Sequence, residues 1–504
     1  MKIKPLGVLM MTISLLNACG NTDPIYSSSI NNSNLPQKGT INQGNISIFP
    51  KQNNGYIGDP MPYFDNGVLN LFYLHDARDG NRGFHPWYLM QTTDFINWDD
   101  KKEVIPYVND YSSQDLALGT GSVIKDKNGL YHAYYTGFNG TGNTLYFEKI
   151  QHATSSDLIT WTKHPEDGFY GGKNDFRDPY VLYMEEYDEY WMLITTRDNN
   201  HGVIALYTST DLKSWKYDRI FFRNDVGSWN MECPTLIKYN DYWYLSYSEQ
   251  GANRIVHYRY TKDLSKGWTK PTQDYFDSVG FYAGRIEKAF DRLFAFGWVG
   301  TKDYDIDSGN FNWAGNLVTH ELIQKDNGEL YPRIVKEVDN KLSNKVNYNI
   351  VNKSSSTNVS DNMIEFSGKS GYEYLMFDEL ESKPTKITFS VTVTNGSKFG
   401  LTFGASNKQY GPLNIMFNLQ TKKIEFYNVE FSKISKTNSQ ASVGINAELG
   451  DSLDVVIVSE KECITIYINN QIALTTRMYT KSNNYFGMFS NFSKVTINNL
   501  SFYE

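Results

Sequence analysis

The chain has 504 residues, too many for one hydrophobic core, so at least two domains are expected. Its 48 Lys and Arg against 56 Asp and Glu leave a net charge of -8, and no concentrated basic stretch could track a phosphate backbone, which excludes nucleic acid as the expected partner. Aromatic residues make up 15% of the chain, with 37 Tyr and 10 Trp; they favour strands and offer flat apolar faces to sugar rings, although ordinary β-rich cores account for most of them.

The first element is a targeting segment. Lys2 and Lys4 precede an apolar run from Pro5 to Leu16, too short to span a bilayer and of the length of a signal h-region. The run ends in Leu16-Asn17-Ala18-Cys19-Gly20, which resembles a bacterial lipobox, with Asn17 a less usual choice at its position. Residues 1–19 therefore read as a lipoprotein signal, with Cys19 taking the lipid; a plain secreted protein cleaved nearby is the alternative. Residues 20–45, rich in Asn, Ser, Gln and Gly, have almost nothing to bury and read as a flexible tether with a root-mean-square reach of roughly 25–30 Å. The expectation is an exported protein anchored to the bacterial cell envelope, with the membrane as partner through the lipid. Cys233 and Cys463, the other cysteines, lie far apart in sequence, so no disulfide framework is expected.

Residues 46–339 carry an internal repeat. Thr93-Asp94-Phe95-Ile96-Asn97-Trp98 recurs as Ser156-Asp157-Leu158-Ile159-Thr160-Trp161, as Thr210-Asp211-Leu212-Lys213-Ser214-Trp215 and, more loosely, as Lys262-Asp263-Leu264-Ser265-Lys266-Gly267-Trp268. The tryptophans fall 63, 54 and 53 residues apart, a period suited to four short strands and their turns. Four copies, with room for one more unit before Trp98 or after Trp268, predict an all-β, five-bladed β-propeller whose loops converge on a central funnel. From residue 340 to 504 tryptophan disappears and short runs alternate apolar and polar, as in Ile464-Thr465-Ile466-Tyr467-Ile468, which predicts an antiparallel β-sandwich.

Three short motifs could carry chemistry. Gly58-Asp59-Pro60, Arg177-Asp178-Pro179 and Glu232-Cys233-Pro234 each have an ordinary reading: a turn, a loop ion pair and a buried, hydrogen-bonded glutamate. Together they mean more, because the carboxylates fall at comparable places in different repeat units, each before an aromatic strand, and a propeller brings such places together. Glycoside hydrolysis needs this set: one carboxylate to attack the anomeric carbon and another, with a raised pKa, to protonate the leaving oxygen. A third can hold sugar hydroxyls.

With these motifs the sequence resembles glycoside hydrolase family 32, the invertase, inulinase and levanase family. Asp59-Pro60 is similar to the family's Asn-Asp-Pro-Asn-Gly motif, Gly119-Thr120-Gly121-Ser122 to Phe-Ser-Gly-Ser, and the other two motifs match Arg-Asp-Pro and Glu-Cys-Pro. Asp454–Tyr479 resembles the family's sandwich signature. The resemblance implies that Asp59 is the nucleophile, Glu232 the general acid/base and Asp178 a stabiliser binding fructosyl hydroxyls. It also implies sugar-binding roles for Arg177, Trp87, Thr120, Asp76 and Cys233, with Trp87 lining the fructosyl pocket or, alternatively, filling a blade core. Gly58, Met61-Pro62 and Leu74-His75-Asp76 depart from the family pattern, which points to a divergent specificity among fructose-containing sugars. The competing readings are fructosyl transfer, an arabinan or xylan hydrolase of a related propeller family, and a non-catalytic surface lectin. The histidines and cysteines form no ligand-like cluster, so neither a metal nor a cofactor is expected.

Overall fold

The computed structural model describes residues 47–78, 84–173, 175–251 and 254–504; the expected signal segment, Cys19 and the expected tether lie outside the described residues. Five sheets follow one another in chain order. The first blade is β1 (Tyr56–Asp65), β2 (Val68–Asp76), β3 (Trp87–Thr92) and β4 (Asp99–Ile105). The second is β5 (Ala117–Lys125), β6 (Tyr131–Phe138), β7 (Glu148–Ser155) and β8 (Thr162–Lys163), and the third is β9 (Arg177–Met184), β10 (Glu189–Asp198), β11 (His201–Ser209) and β12 (Lys216–Arg223). The fourth pairs β13 (Met231–Tyr239), β14 (Tyr242–Glu249) and β15 (Val256–Thr261). The fifth is β16 (Tyr282–Ala289), β17 (Arg292–Lys302), β18 (Phe311–Gln324) and β19 (Leu330–Arg333). All pairings within the blades are antiparallel, and the innermost strands β1, β5, β9, β13 and β16 pack against one another in a closed ring. The fifth unit therefore follows Trp268, one of the two positions the repeat left open.

Burial explains the sequence pattern. Second strands such as β2 and β10 are sandwiched between blades and read as nearly continuous apolar runs, whereas the outermost β12 is polar and largely exposed. The recurrent aspartate serves the turn between third and fourth strands. Asp94 Oδ1 accepts from the amides of Ile96 and Asn97, Asp157 from Ile159 and Thr160, and Asp211 from Lys213 and Ser214. A hydroxyl two residues before each aspartate, on Thr92, Ser155 and Ser209, accepts from the aspartate's own amide. The repeat is thus a side-chain-capped turn, a local hydrogen-bond solution that Asp with Ser or Thr provides.

A single residue pair, Ile57 opposite Gly315, joins β1 to β18 and closes the ring. Gly315 is required there, because a Cβ would stand 1.7 Å from the Val299 carbonyl oxygen. After a six-residue helix at Lys336–Lys341 the chain forms two antiparallel sheets, of eight and seven strands, around a core that includes Phe366, Phe399, Ile415 and Leu474. The sandwich is locked to the fifth blade by buried polar groups. Arg477 donates to the carbonyls of Val299 and Gly300 and to Asn316, and the fully buried Asp277 accepts from the Thr475 amide and faces His320 at 3.1 Å. Cys233 and Cys463 are free and buried.

Candidate active site

Each innermost strand carries a β-bulge near its start, where two residues stay outside the ladder: between Gly58 and Met61, Leu118 and Gly121, Arg177 and Tyr180, Glu232 and Thr235, and Tyr282 and Arg285. In four of the five the first unpaired residue has a left-handed backbone, with φ of 40° at Asp59, 58° at Asp178, 52° at Cys233 and 51° at Ala283. The second is Pro60, Pro179 or Pro234 in three of them; proline lacks an N–H, so it suits a position without a ladder bond. Asp tolerates a positive φ better than most residues. The sequence places the three carboxylates at comparable positions; the fold refines this, with Asp59 and Asp178 at the left-handed position and Glu232 one residue earlier, equivalent to Gly58, Arg177 and Tyr282.

These bulges gather a hydrogen-bonded circuit drawn from all five blades. Thr120 Oγ1 donates to Asp59 Oδ2 at 2.7 Å, and Trp298 Nε1 reaches Asp59 Oδ1 at 3.2 Å. Thr136 Oγ1 donates to the Thr120 carbonyl and accepts from the Asp178 amide at 3.0 Å. Asp178 Oδ2 accepts from the Cys233 amide at 3.0 Å and the Thr195 hydroxyl at 3.4 Å. Glu232 accepts from Arg177 Nη2 at 2.9 Å through Oε1 and from the Tyr282 hydroxyl at 2.7 Å through Oε2. Arg177 also donates to Asp175 at 2.8 Å and Glu148 at 3.3 Å.

Burial sets the electrostatics. It pushes the carboxyl of Asp59 above its usual range, opposed by the Thr120 hydrogen bond and reinforced by the charge of Glu232. Burial likewise raises Glu232; Arg177 opposes it and Asp178 adds to it. Asp178 is raised by burial against the pull of Arg177 and of the Cys233 amide. Burial works against the charge of Arg177 too, but Glu148, Glu232, Asp178 and Asp175 hold it protonated. The buried Cys233 thiol is pushed well above its normal value, so this residue serves the site through its amide.

The remaining sequence candidates divide. Thr120 and Arg177 touch the carboxylates directly. Asp76 ends β2 and pairs with Arg78 at 2.8 Å; Arg78 in turn donates to Thr301 and to the Trp313 carbonyl. Trp87 does not line a pocket wall: it is fully buried, packed against Phe72 and Tyr135, with its Nε1 spent on the Gly119 carbonyl at 3.0 Å. Its role is to fill the space between the first two blades. The departure at Gly58 has a physical cause, since a Cβ there would meet the Trp313 ring at 2.4 Å; Trp313 itself stacks on His85. Met61 offers its sulfur to the Gly121 amide at 3.1 Å. Sequence reasoning missed Tyr282 and Trp298, because the fifth blade writes its bulge as Tyr282-Ala283-Gly284, without proline; the small Ala-Gly pair was the available signal. It also missed that the fold gathers ligand atoms of His164, Glu166 and Asp167 within 4.8 Å on the second blade; there His164 and Asp167 bond Thr154 and His152.

A propeller mouth that converges three buried carboxylates, two on neutral donors and one on a phenol and a guanidinium, defines a glycoside hydrolase. Residues 50–332 match the glycosyl hydrolases family 32 N-terminal domain and residues 337–504 the family 32 C-terminal domain, so the chain belongs to glycosyl hydrolase family 32. The sucrose-6-phosphate hydrolase of Escherichia coli is 24% identical over 452 residues, covering 84% of this chain and 87% of that protein. The levanase of Bacillus subtilis (strain 168) is 27% identical over 252 residues, 47% of this chain and 34% of that one. The crystal structure of exo-inulinase from Aspergillus awamori superposes with a TM-score of 0.71 at 15% identity, covering 91% of this chain and 97% of that chain. The protein is a glycoside hydrolase acting on β-fructosides.

The placement of Trp87 yields a direct expectation. Trp87→Ala leaves a cavity between two blades and costs about 3–5 kcal/mol of stability, read as a large fall in the thermal midpoint. A midpoint within a degree or two of the parent would contradict the core role.

Proposed function

We propose that this chain is an exported, lipid-anchored, retaining β-fructosidase in which Asp59 is the nucleophile, Glu232 the general acid/base and Asp178 the group that binds fructosyl hydroxyls. The observation that carries the assignment is the difference in donors around the three carboxylates. Asp59 is oriented at both oxygens by uncharged donors, Thr120 and Trp298, which hold an anion in position without neutralising it. Asp178 is fixed by the Cys233 backbone amide, with the Arg177 guanidinium 4.0 Å away, and so stays an acceptor for substrate hydroxyls. Glu232 sits between a cation and a phenol, partners able to support it in either protonation state.

The chemistry then runs in two displacements. Asp59 attacks the anomeric carbon while the bond to the leaving oxygen breaks and Glu232 gives that oxygen its proton. The resulting Glu232 carboxylate takes a proton from water, whose oxygen attacks the same carbon and releases fructose from Asp59. Two inversions restore the original configuration. The substrate class is fructans, fructo-oligosaccharides or sucrose. Export rests on Lys2, Lys4 and the apolar run to Leu16, and anchoring on the lipobox-like sequence ending in Cys19.

Asp59→Asn should abolish turnover of every β-fructoside. Glu232→Gln should lower turnover of fructans by about 10²–10⁴-fold, yet spare the first step on an aryl β-fructoside whose leaving group needs no proton, so that the covalent intermediate accumulates and mass spectrometry detects it. Near-normal rates in Asp59→Asn would end the assignment.

The Tyr282 hydrogen bond lowers the pKa of Glu232, so its removal favours the protonated acid. In Tyr282→Phe the alkaline limb of kcat/KM against pH should move to higher pH. Movement to lower pH would contradict the role of Glu232.

For localisation, Cys19→Ser should release the protein from the membrane fraction of its host. Unchanged sedimentation with membranes would refute the anchor.

A further inference from the structure

Two side chains near Glu232 have no part in the chemistry above. The Arg254 guanidinium lies 4.4 Å from the ring centre of Tyr282 and 5.6 Å from that of Trp298, the two rings that hold Glu232 and Asp59. Among the described residues no carboxylate pairs with it, and it is only partly buried. A cation stacked on both supports of the reacting carboxylates, yet committed to no anion, keeps its hydrogen-bond donors available.

Trp229 stands three residues before Glu232 and is 50% exposed, the most exposed tryptophan of the propeller. Its indole leans on glycine: a Cβ at Gly251 would meet Trp229 Cδ1 at 2.5 Å, and one at Gly227 would meet it at 3.6 Å. The Arg254 amide donates to the Gly251 carbonyl at 3.2 Å, which ties Arg254 to the glycine beneath Trp229. Glycine at 251 lets an aromatic side chain lie flat on backbone and keep area open to solvent, which in a sugar enzyme is a stacking surface.

We propose that Arg254 and Trp229 form a binding site for the leaving-group side of the substrate, built for fructose-containing oligosaccharides longer than a disaccharide. Arg254 hydrogen-bonds hydroxyls of the departing sugar unit, and Trp229 stacks on the next unit along. This inference rests on the fructosidase reading above.

The test compares kcat/KM on sucrose, on a neutral fructo-trisaccharide, on levan and on sucrose 6-phosphate. In the parent, kcat/KM rises from sucrose to the trisaccharide. Trp229→Ala lowers the trisaccharide-to-sucrose ratio about tenfold and Trp229→Phe restores part of it, while Arg254→Met raises KM more than it lowers kcat. Tyr217→Ala, an exposed aromatic change on the outer strand β12, leaves the ratio unchanged. Calorimetric binding of the trisaccharide to Asp59→Asn, with and without the Trp229 change, repeats the comparison without turnover, and a matched thermal midpoint excludes misfolding. A parent inactive on every β-fructoside overturns the fructosidase reading itself. An active parent whose ratio is indifferent to both substitutions overturns the site, and a preference for sucrose 6-phosphate that vanishes in Arg254→Met overturns the oligosaccharide assignment.

Discussion

The extra residues near the start of each inner strand govern what the mouth of the propeller can do. A regular strand would alternate its side chains between the two blade faces and spend every amide on the ladder. The bulge breaks that alternation at one level in all five blades, and at Asp178 and Cys233 it takes a side chain out of the blade-face pattern and frees an amide. Asp178 uses both consequences: its carboxylate reaches inward, and it takes the amide that the next blade's bulge releases at Cys233. The left-handed backbone at Asp59, Asp178 and Cys233 is a local cost of order 1–3 kcal/mol each, sustained by packing all round the ring.

The charges at the mouth are held in the same way. Asp59, Asp178 and Glu232, with Glu148 and Asp175, would repel one another and resist burial if left alone. Arg177 is the counterweight, a single guanidinium donating to Glu232, Glu148 and Asp175, while the carboxylates it does not bond are fixed by hydroxyls, an indole and a backbone amide. Burial raises all three acids and each feels the charge of a neighbour, so they titrate together; what differs among them is the donor that orients each one.

Much of this was legible in the sequence. The tryptophan-ended repeat marked four of the five blades because it is a local turn, closed by its own Asp and Ser or Thr, and local hydrogen bonds leave a local signature. The motifs ending in proline located three of the five bulges for a similar reason, since proline marks where a ladder bond is missing. The fifth blade satisfies the same geometry with Ala283 and Gly284, residues too common to attract notice, and so the partners of both reacting carboxylates, Tyr282 and Trp298, stayed hidden. Trp87 stayed open between pocket and blade core, because proximity to a motif in sequence does not reveal which face of a strand a side chain takes; its complete burial favours the core. That Gly58 stands where the family has an asparagine could be read, but its cause, the ring of Trp313, comes from some 250 residues away and only the fold supplies it.

The ring is closed by one pairing between β1 and β18, and this bears on when the protein becomes an enzyme. Asp59 belongs to the first strand made and Trp298 to the last blade, with Tyr282 beside it. Contacts so distant in sequence form late, after the loops between them have been closed. Until the fifth blade docks against the first, Asp59 lacks one of its two orienting donors and Glu232 lacks its phenol. An open ring holds all three acids and still cannot align them. Catalytic power is therefore a report on completed folding: the chain gains its activity at the step that joins the first and last blades, and a molecule caught short of that step is inert toward the sugars around it.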